Sequence, residues 1–191
     1  FAPRTGRYTL WTPSQGVVSL RAAMADALAV DPQAVRVVTE DVGGSFAVKI
    51  WPYPEHVLTL VAAERTGHPV KWVAERAESF AADAPGRARV DRARLALDGD
   101  GRFLAFTIDA RADMGAYLNT VAPVIVTAGA TRVLGHVYRI PALGYRVTAT
   151  FTNATPTDAY RGAGKPETVA TLERLIDVAA TRLDFDRFEL R

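Results

Sequence analysis

Cysteine is missing from the 191-residue sequence, and histidine occurs only three times. Without cysteine the chain can form no disulfide, no thiolate zinc site and no iron–sulfur ligand set, and it has no cysteine nucleophile. His56, His68 and His136 are far apart and show none of the short spacings that are typical of metal ligands. We therefore expect no metal that is ligated by protein side chains.

Long hydrophobic runs and concentrated charge are lacking too. No stretch of about 18 apolar residues occurs, and no signal-peptide pattern opens the chain, so we expect no membrane segment. The 23 Lys and Arg residues are interspersed with 21 Asp and Glu residues, and this balance argues against a nucleic-acid-binding surface.

Hydrophobic residues make up 49% of the sequence, which is typical of a globular protein and allows one large domain. The first residue is Phe1 rather than Met, which indicates a piece of a longer polypeptide.

A glycine-rich turn at residues 158–167 carries a single arginine immediately before a helical pattern. It reads Asp-Ala-Tyr-Arg-Gly-Ala-Gly-Lys-Pro-Glu. Gly162 and Gly164 allow positive φ angles or a close approach of the backbone to a ligand. Glu167 is expected in the first helical turn, where negative charge favours the helix dipole. Arg161 is therefore either presented to a ligand or solvated beside a surface carboxylate, and the local pattern leaves both open.

A second glycine-rich stretch, at residues 41–49, reads Asp-Val-Gly-Gly-Ser-Phe-Ala-Val-Lys. It follows the apolar run 35–38, which is predicted to be a short strand. Backbone N–H groups around Gly43 and Gly44 would suit an anion or the polar edge of a cofactor. The stretch has neither the Gly-Lys-Ser/Thr ending of a P-loop nor a Gly-x-Gly-x-x-Gly pattern. A β-bulge or a hairpin is the alternative interpretation.

Hydrophobic periodicity predicts an α+β (mixed α/β) fold with mixed and antiparallel strands and about three packed helices. The predicted helices cover residues 15–28, 54–66 and 166–183, and the predicted strands cover 9–11, 35–38, 69–73 and 145–151. The turn Asp-Gly-Asp-Gly at 98–101 predicts an antiparallel hairpin between 89 and 110. Residues 118–131 show no clear period, and Asp186 is predicted to begin a further helix. Gln15 lies at the start of the first helix, where its amide either satisfies backbone groups or contacts a ligand.

Several motifs occur together in one order: both glycine loops, the hairpin turn between them, Gly-Ala-Tyr at 115–117, and Thr-Asn at 152–153. This order resembles the molybdenum-cofactor-binding subunit of the xanthine dehydrogenase, aldehyde oxidase and aerobic carbon monoxide dehydrogenase superfamily. The likeness runs from about residue 8 to residue 191, and it is closest to form II carbon monoxide dehydrogenase-like large subunits. The resemblance implies that residues 1–191 are the first molybdenum-cofactor-binding domain, excised from a longer subunit.

The resemblance also implies roles for individual residues. Gln15 aligns with a glutamine that hydrogen-bonds an oxo ligand of molybdenum, and Arg161 aligns with an active-site arginine that faces the substrate. Four positions align with a Gly-Gly-x-Phe-Gly loop that lies against the cofactor: Gly43, Gly44, Phe46 and the backbone of Ala47. The implied cofactor is molybdopterin cytosine dinucleotide, whose dithiolene holds the metal. Iron–sulfur clusters and FAD are implied on partner subunits, together with a small-molecule substrate and a cytoplasmic location.

Three positions depart from the pattern of the superfamily. Ala47 replaces the second motif glycine, which keeps the N–H but adds a Cβ. Ile50 stands where purine-oxidising members carry a glutamate, which argues against xanthine as substrate. The arginine loop, residues 158–167, lacks the copper-binding cysteine of established carbon monoxide dehydrogenases. The catalytic glutamate of the superfamily lies in a downstream Gly-x-Gly-Glu segment that this sequence does not contain, and the place of Glu167 after Lys-Pro indicates helix capping instead.

The resulting hypothesis is a molybdenum hydroxylase that inserts water-derived oxygen into a carbon–hydrogen bond of an aldehyde or aromatic heterocycle. Electrons would pass to the iron–sulfur and flavin partners, and the fragment alone is predicted to be inactive. Carbon monoxide oxidation is the alternative within the enzyme class, and the missing cysteine argues against it. A non-catalytic binding or assembly module on the same scaffold is the alternative from another class, for which Ala47 is the main argument.

Overall fold

The computed structural model describes residues Phe1–Arg191, which divide into two compact units, Phe1–Asp83 and Ala84–Arg191. Five α-helices accompany a two-stranded and a three-stranded sheet, so the predicted mixed fold class is confirmed. None of the helices combines the length and the hydrophobicity that crossing a bilayer requires.

The first unit is built on two parallel strands, β1 (Tyr8–Trp11) and β2 (Val35–Val38). Parallel strands need a crossover connection, and helix α1 (Val17–Leu28) supplies it. Leu20 and Met24 are one helical turn apart, and both are buried against the strands. Helix α2 (Pro54–Thr66) covers the predicted helix 54–66, adds Leu60 to the same core and ends at Gly67 in the left-handed conformation.

The start of α2 depends on a half-buried histidine. The backbone N–H of Tyr53, the N-cap residue, donates to Nδ1 of His56 at 3.1 Å, and Nε2 of His56 lies 3.3 Å from the Thr12 hydroxyl. Because Nδ1 accepts a hydrogen bond, the imidazole is neutral and carries its proton on Nε2. Burial lowers the pKa of His56 below its ordinary value of 6.5, against a smaller opposing effect of the Glu55 carboxylate.

Acid is therefore expected to weaken the first unit through His56. The unfolded chain binds a proton at this residue near pH 6.5 and the folded chain only at lower pH, so stability is complete above 6.5 and falls as the pH drops below it. We expect the free energy of unfolding, measured in urea at pH 7.5 and 5.5, to decrease. His56→Gln keeps an acceptor at the same helix position but does not titrate, so it should show a smaller decrease. An equal decrease in both proteins would exclude His56 as the cause.

The predicted strand at residues 69–73 is wrong. This segment forms no ladder with any strand, and its apolar residues Val70, Trp72 and Val73 are exposed. A β-branched and aromatic composition favours a strand only where a neighbouring backbone is available to pair with it, and the chain offers none here. A short helix, α3 (Arg76–Ala82), follows and had no signal in the periodicity.

The second unit contains the three-stranded sheet, in the order β3-β4-β5. The predicted hairpin is confirmed: β3 (Arg89–Leu97) and β4 (Phe103–Gly115) pair antiparallel. In the connecting turn, Oδ1 of Asp98 accepts the N–H groups of Asp100 and Arg102 at 3.0 and 2.8 Å. Strand β5 (Ala142–Phe151) covers the predicted strand and pairs with β4 in parallel.

Helix α5 (Lys165–Leu183) packs on this sheet, as its apolar face predicts. Leu172, Ile176 and Ala180 recur at four-residue spacing and join Phe106 and Ile108 of β4 in one buried cluster. The aperiodic stretch contains a short helix, α4 (Ala122–Val124), followed by a π-helical turn, Ile125–Gly129.

The further helix that the sequence predicts after Asp186 is a single turn. Asp186 caps the start of this turn, because its Oδ1 accepts the N–H groups of Phe188 and Glu189 at 2.7 and 3.0 Å. The turn closes with a bond from the Leu190 N–H to the Asp186 carbonyl at 3.0 Å.

Candidate functional site

The predicted site residues divide between the two units. Arg161 lies in the second unit. Five lie in the first: Gln15, Gly43, Gly44, Phe46 and Ala47.

Gln15 lies just before α1, and its side chain reaches the glycine loop at residues 43–47. Its main-chain N–H donates to the Lys49 carbonyl at 3.1 Å, which fixes the residue beside the loop. Its Oε1 accepts the N–H of Ala47 at 3.0 Å and a hydrogen bond from the Ser45 hydroxyl. The backbone N–H of Ala47 can only donate, so the atom that faces it is the amide oxygen. No hydrogen bond within the chain uses the amide NH2 of Gln15, which remains a pair of donors for a ligand.

Ser45 has a role that the sequence analysis missed. Its hydroxyl oxygen accepts the N–H of Lys49 at 3.2 Å, so its own proton is directed to Gln15. Through these two hydrogen bonds, Ser45 links the side-chain amide of Gln15 to the backbone of Lys49 at the end of the glycine loop. The only signal in the sequence is that Ser45 is the one hydroxyl residue between the motif glycines and Lys49.

The glycine loop turns sharply because three of its residues have positive φ angles. These are Gly44 at +82°, Phe46 at +52° and Ala47 at +79°. A Cβ on Gly44 would lie 2.9 Å from Cε2 of the Phe46 ring, so the ring packs where only glycine leaves room. Nothing lies within 4 Å of a Cβ on Gly43, whose backbone is open to a ligand.

Ala47 retains the backbone geometry that a glycine would allow. A residue with a side chain costs roughly 1–2 kcal/mol in a left-handed conformation, and its hydrogen bond to Gln15 offsets part of this strain. The departure from the motif therefore leaves the N–H in place beside the Gln15 amide.

Arg161 is exposed in a loop with successive positive φ angles at Gly162, Ala163 and Gly164. Its backbone is held by Arg87. The Nη1 and Nη2 atoms of Arg87 donate to the carbonyls of Tyr160 and Arg161 at 3.1 and 2.6 Å. The Arg87 guanidinium also lies 4.8 Å from the centre of the Tyr160 ring, a cation–π contact.

The residues before Arg87 support the same loop. The N–H of Asp158 donates to the Pro85 carbonyl at 3.0 Å, and a Cβ on Gly86 would lie 2.9 Å from Cβ of Tyr160. Residues 85–87 therefore brace the arginine loop, Pro85 through its carbonyl and Arg87 through its guanidinium. Sequence reasoning missed this brace, since Pro85-Gly86 by itself indicates only a turn.

Glu167 lies in the first turn of α5, as predicted, but it does not cap the helix. Gly164 is the N-cap residue, and no side chain makes a capping hydrogen bond at this end of the helix. One carboxylate oxygen of Glu167, Oε2, is buried without a hydrogen-bond partner. The capping expected from the position after Lys165-Pro166 is therefore wrong.

The donor set around Gln15 fits the polar edge of a cofactor better than an ion. It combines an amide NH2 without a partner with a glycine turn that leaves backbone exposed at Gly43. Both groups are neutral, and they recognise oxygen and nitrogen acceptors by geometry rather than by net charge.

Comparison with known proteins also indicates a cofactor-binding domain. The whole chain, residues 1–191, matches the family model described as the molybdopterin cofactor-binding domain. The gamma subunit of the 6-hydroxypseudooxynicotine dehydrogenase complex of Paenarthrobacter nicotinovorans is 36% identical over 157 residues, which is 82% of this chain and 20% of that subunit. The carbon monoxide dehydrogenase large chain of Hydrogenophaga pseudoflava is 33% identical over 193 residues, which is 100% of this chain and 24% of that one.

A solved structure agrees with these relatives. Quinoline 2-oxidoreductase of Pseudomonas putida 86 superimposes with a TM-score of 0.92 at 34% identity, over 100% of this chain and 24% of that chain. The chain thus spans about a fifth to a quarter of the length of these proteins. The resemblance seen in the motifs is confirmed, and the chain belongs to the molybdopterin cofactor-binding domain family of the xanthine dehydrogenase, aldehyde oxidase and carbon monoxide dehydrogenase superfamily.

Proposed function

We propose that residues 1–191 are the first molybdenum-cofactor-binding domain of a longer subunit, and that the whole protein is a molybdenum hydroxylase. Its substrate would be an aldehyde or an aromatic heterocycle, and the inserted oxygen would come from water. The observation that carries the proposal is the Gln15 amide, whose oxygen is bonded to the Ala47 N–H while its NH2 stays available beside the glycine loop.

In this proposal the glycine loop and Gln15 hold and orient the cofactor. Gln15 donates from its NH2, and Gly43, Gly44, Phe46 and Ala47 form the backbone surface against which the cofactor lies. When bound, the molybdenum cofactor supplies oxygen transfer and two-electron redox chemistry. We propose its cytosine dinucleotide form, with iron–sulfur clusters and FAD on partner subunits. The relatives named a gamma subunit and a large chain support an assembly of several subunits.

Arg161 is assigned to the substrate side. A fixed guanidinium stabilises negative charge that develops on a substrate oxygen or nitrogen, and it does so best when its backbone is already rigid. The bonds from Arg87 to the carbonyls of Tyr160 and Arg161 supply that rigidity. The name of the structural neighbour, a quinoline oxidoreductase, supports an aromatic heterocycle as the substrate class. Ile50 offers no polar group to a purine.

Carbon monoxide oxidation is the second candidate, because one relative is a carbon monoxide dehydrogenase large chain at 33% identity. The chain has no cysteine, however, and the superfamily pattern places the copper-binding cysteine of that reaction in the arginine loop. The hydroxylase is therefore the better-supported function. Absence of carbon monoxide uptake by the purified complete enzyme would exclude the second candidate.

Molybdenum content of the complete subunit, purified with its partners, tests the proposal. We expect stoichiometric molybdenum together with copurifying iron and flavin, and turnover with at least one aromatic heterocycle or aldehyde in a dye-reduction screen. The control is a second molybdenum hydroxylase expressed in the same host, which shows that the host loads the cofactor. A metal-free subunit beside a loaded control would contradict the proposal and favour a non-catalytic module on this scaffold.

A further inference from the structure

A small cavity lies in the second unit, next to the loop that carries Arg161. Its volume is about 20 Å³. Its wall includes Arg89 at the start of β3, Asp158 and Gly164 of the arginine loop, and Glu167 of α5. A cavity of roughly 10–15 Å³ is enough to hold one water molecule when polar groups surround it. The size therefore fits one water and excludes a larger organic ligand.

Three polar atoms of the lining residues are buried without a hydrogen-bond partner in the chain. They are Nε of Arg89, Oδ2 of Asp158 and Oε2 of Glu167. Asp158 is 3% exposed, and the Arg89 side chain is 5% exposed, so bulk water does not satisfy them. Native proteins leave very few buried polar groups unpaired. Three such atoms around one cavity indicate that a further molecule is bound there.

Arg89 and Asp158 each use another polar atom in a hydrogen bond within the chain. Their unpaired atoms, Nε of Arg89 and Oδ2 of Asp158, are therefore left for a different partner. Nη2 of Arg89 donates to Oδ2 of Asp91 at 2.6 Å, and Oδ1 of Asp158 accepts the N–H of Ala159 at 2.6 Å. The set that remains is one donor, the Arg89 Nε–H, and two acceptors, the carboxylate oxygens of Asp158 and Glu167.

We propose that this cavity is a binding site for one ordered water molecule, which accepts a hydrogen bond from Arg89 Nε and donates to Asp158 Oδ2 and Glu167 Oε2. Water has two protons and two lone pairs, so it satisfies all three atoms at once. A bare cation would face the Arg89 N–H, and an anion would face two carboxylates, so neither matches the set. Burial raises the pKa of Asp158, against smaller opposing effects of the backbone N–H groups of Ala159, Val121 and Thr120. A hydrogen bond donated by the water would also favour the carboxylate form.

The water connects three elements that come from distant parts of the sequence. Arg89 begins β3, Asp158 lies three residues before Arg161, and Glu167 lies in the first turn of α5. The water therefore links the arginine loop at Asp158 to β3 and to α5. In this arrangement Glu167 stabilises the loop and does not cap the helix. The water belongs to the packing of the second unit, whether or not the proposed hydroxylase reaction is correct.

Diffraction from crystals of the complete subunit at about 1.5 Å resolution tests the site. We expect one peak with the height of a water oxygen, at hydrogen-bond distance, roughly 2.7–3.2 Å, from each of the three atoms. Crystals soaked in rubidium chloride should show no anomalous signal at this position. An empty cavity would overturn the proposal, and an anomalous rubidium peak would replace the water with a monovalent cation.

Two variants of Glu167 test it further in the complete subunit. Glu167→Gln keeps an oxygen acceptor, and its crystals should keep the water. Glu167→Leu removes the acceptor, so the peak should vanish, and the thermal midpoint of the subunit should fall by about 1–2 °C. Glu189→Leu removes an exposed carboxylate and serves as the control, with an unchanged midpoint and an unchanged peak. A water that persists in Glu167→Leu with full stability would contradict the assigned contact.

Discussion

Replacing Arg161 by Ala in the complete enzyme is expected to lower kcat about 100-fold while the molybdenum content stays nearly unchanged. The guanidinium acts on charge that develops in the substrate, so its loss weakens the transition state more than the bound ground state. The cofactor contacts proposed for Gln15 and the glycine loop involve other residues. Steady-state kinetics on the best substrate, with metal analysis of the same sample, measures both quantities. Unaltered kinetics would remove Arg161 from the proposed site.

Three further variants separate the charge of Arg161 from its placement. Arg161→Lys keeps the charge without the planar fork and should recover only part of the rate. Arg87→Ala keeps Arg161 but removes the two bonds to the loop carbonyls, so kcat should fall about 10-fold, less than for Arg161→Ala. Lys165→Ala removes an exposed positive charge four residues from Arg161 and serves as the control, with normal kinetics. A rate loss in Lys165→Ala as large as in Arg161→Ala would indicate a general effect of charge.

Local patterns in the sequence were sufficient to predict those elements whose stabilising contacts join residues near one another in the chain. The hairpin of β3 and β4 needed only alternation and a turn whose Asp98 side chain bonds the next backbone groups. Helix α5 needed only its apolar period. The parallel pairing of β4 with β5 had no such signal, because 26 residues separate Gly115 from Ala142 and their path depends on the core. The wrong strand at 69–73 has the same cause, since a strand exists only with a neighbour.

For the candidate site, too, the sequence predicted the local features but not the contacts between distant residues. The motif order assigned residues to the glycine loop and the arginine loop, but it could not show which atoms meet. The bond between Gln15 and Ala47 joins residues 32 positions apart, and the bonds from Arg87 to the arginine loop join residues more than 70 apart. The prediction that Glu167 caps α5 was wrong. Gly164 occupies the N-cap position, and the Glu167 side chain lines the cavity instead of bonding to the helix end. Side-chain destinations of this kind are set by tertiary packing and have no periodic trace in the sequence.

Gly164→Ala is expected to destabilise the second unit by about 3 kcal/mol, in part because of its backbone angle. The φ angle of Gly164 is +84°, which costs a residue with a side chain roughly 1–2 kcal/mol. A Cβ at this position would lie 2.2 Å from the Ile125 carbonyl oxygen and 3.1 Å from the Ala130 nitrogen. Both neighbours are backbone atoms, so no side-chain rotation relieves the contact. The arginine loop or the π-helical turn has to move instead.

Gly101→Ala separates the cost of the angle from the cost of the contact. Its φ of +83° matches that of Gly164, but the nearest atom to its Cβ is the end of the Leu190 side chain at 3.1 Å, which can shift. Urea unfolding of the 191-residue chain, followed by circular dichroism and by amide exchange in α5, should show a loss of about 1 kcal/mol for Gly101→Ala and about 3 kcal/mol for Gly164→Ala. Equal losses would mean that the angle alone accounts for Gly164. The larger loss would show that the close approach of the arginine loop to residues 125–130 requires a glycine, and it would place that loop among the most tightly constrained segments of the unit.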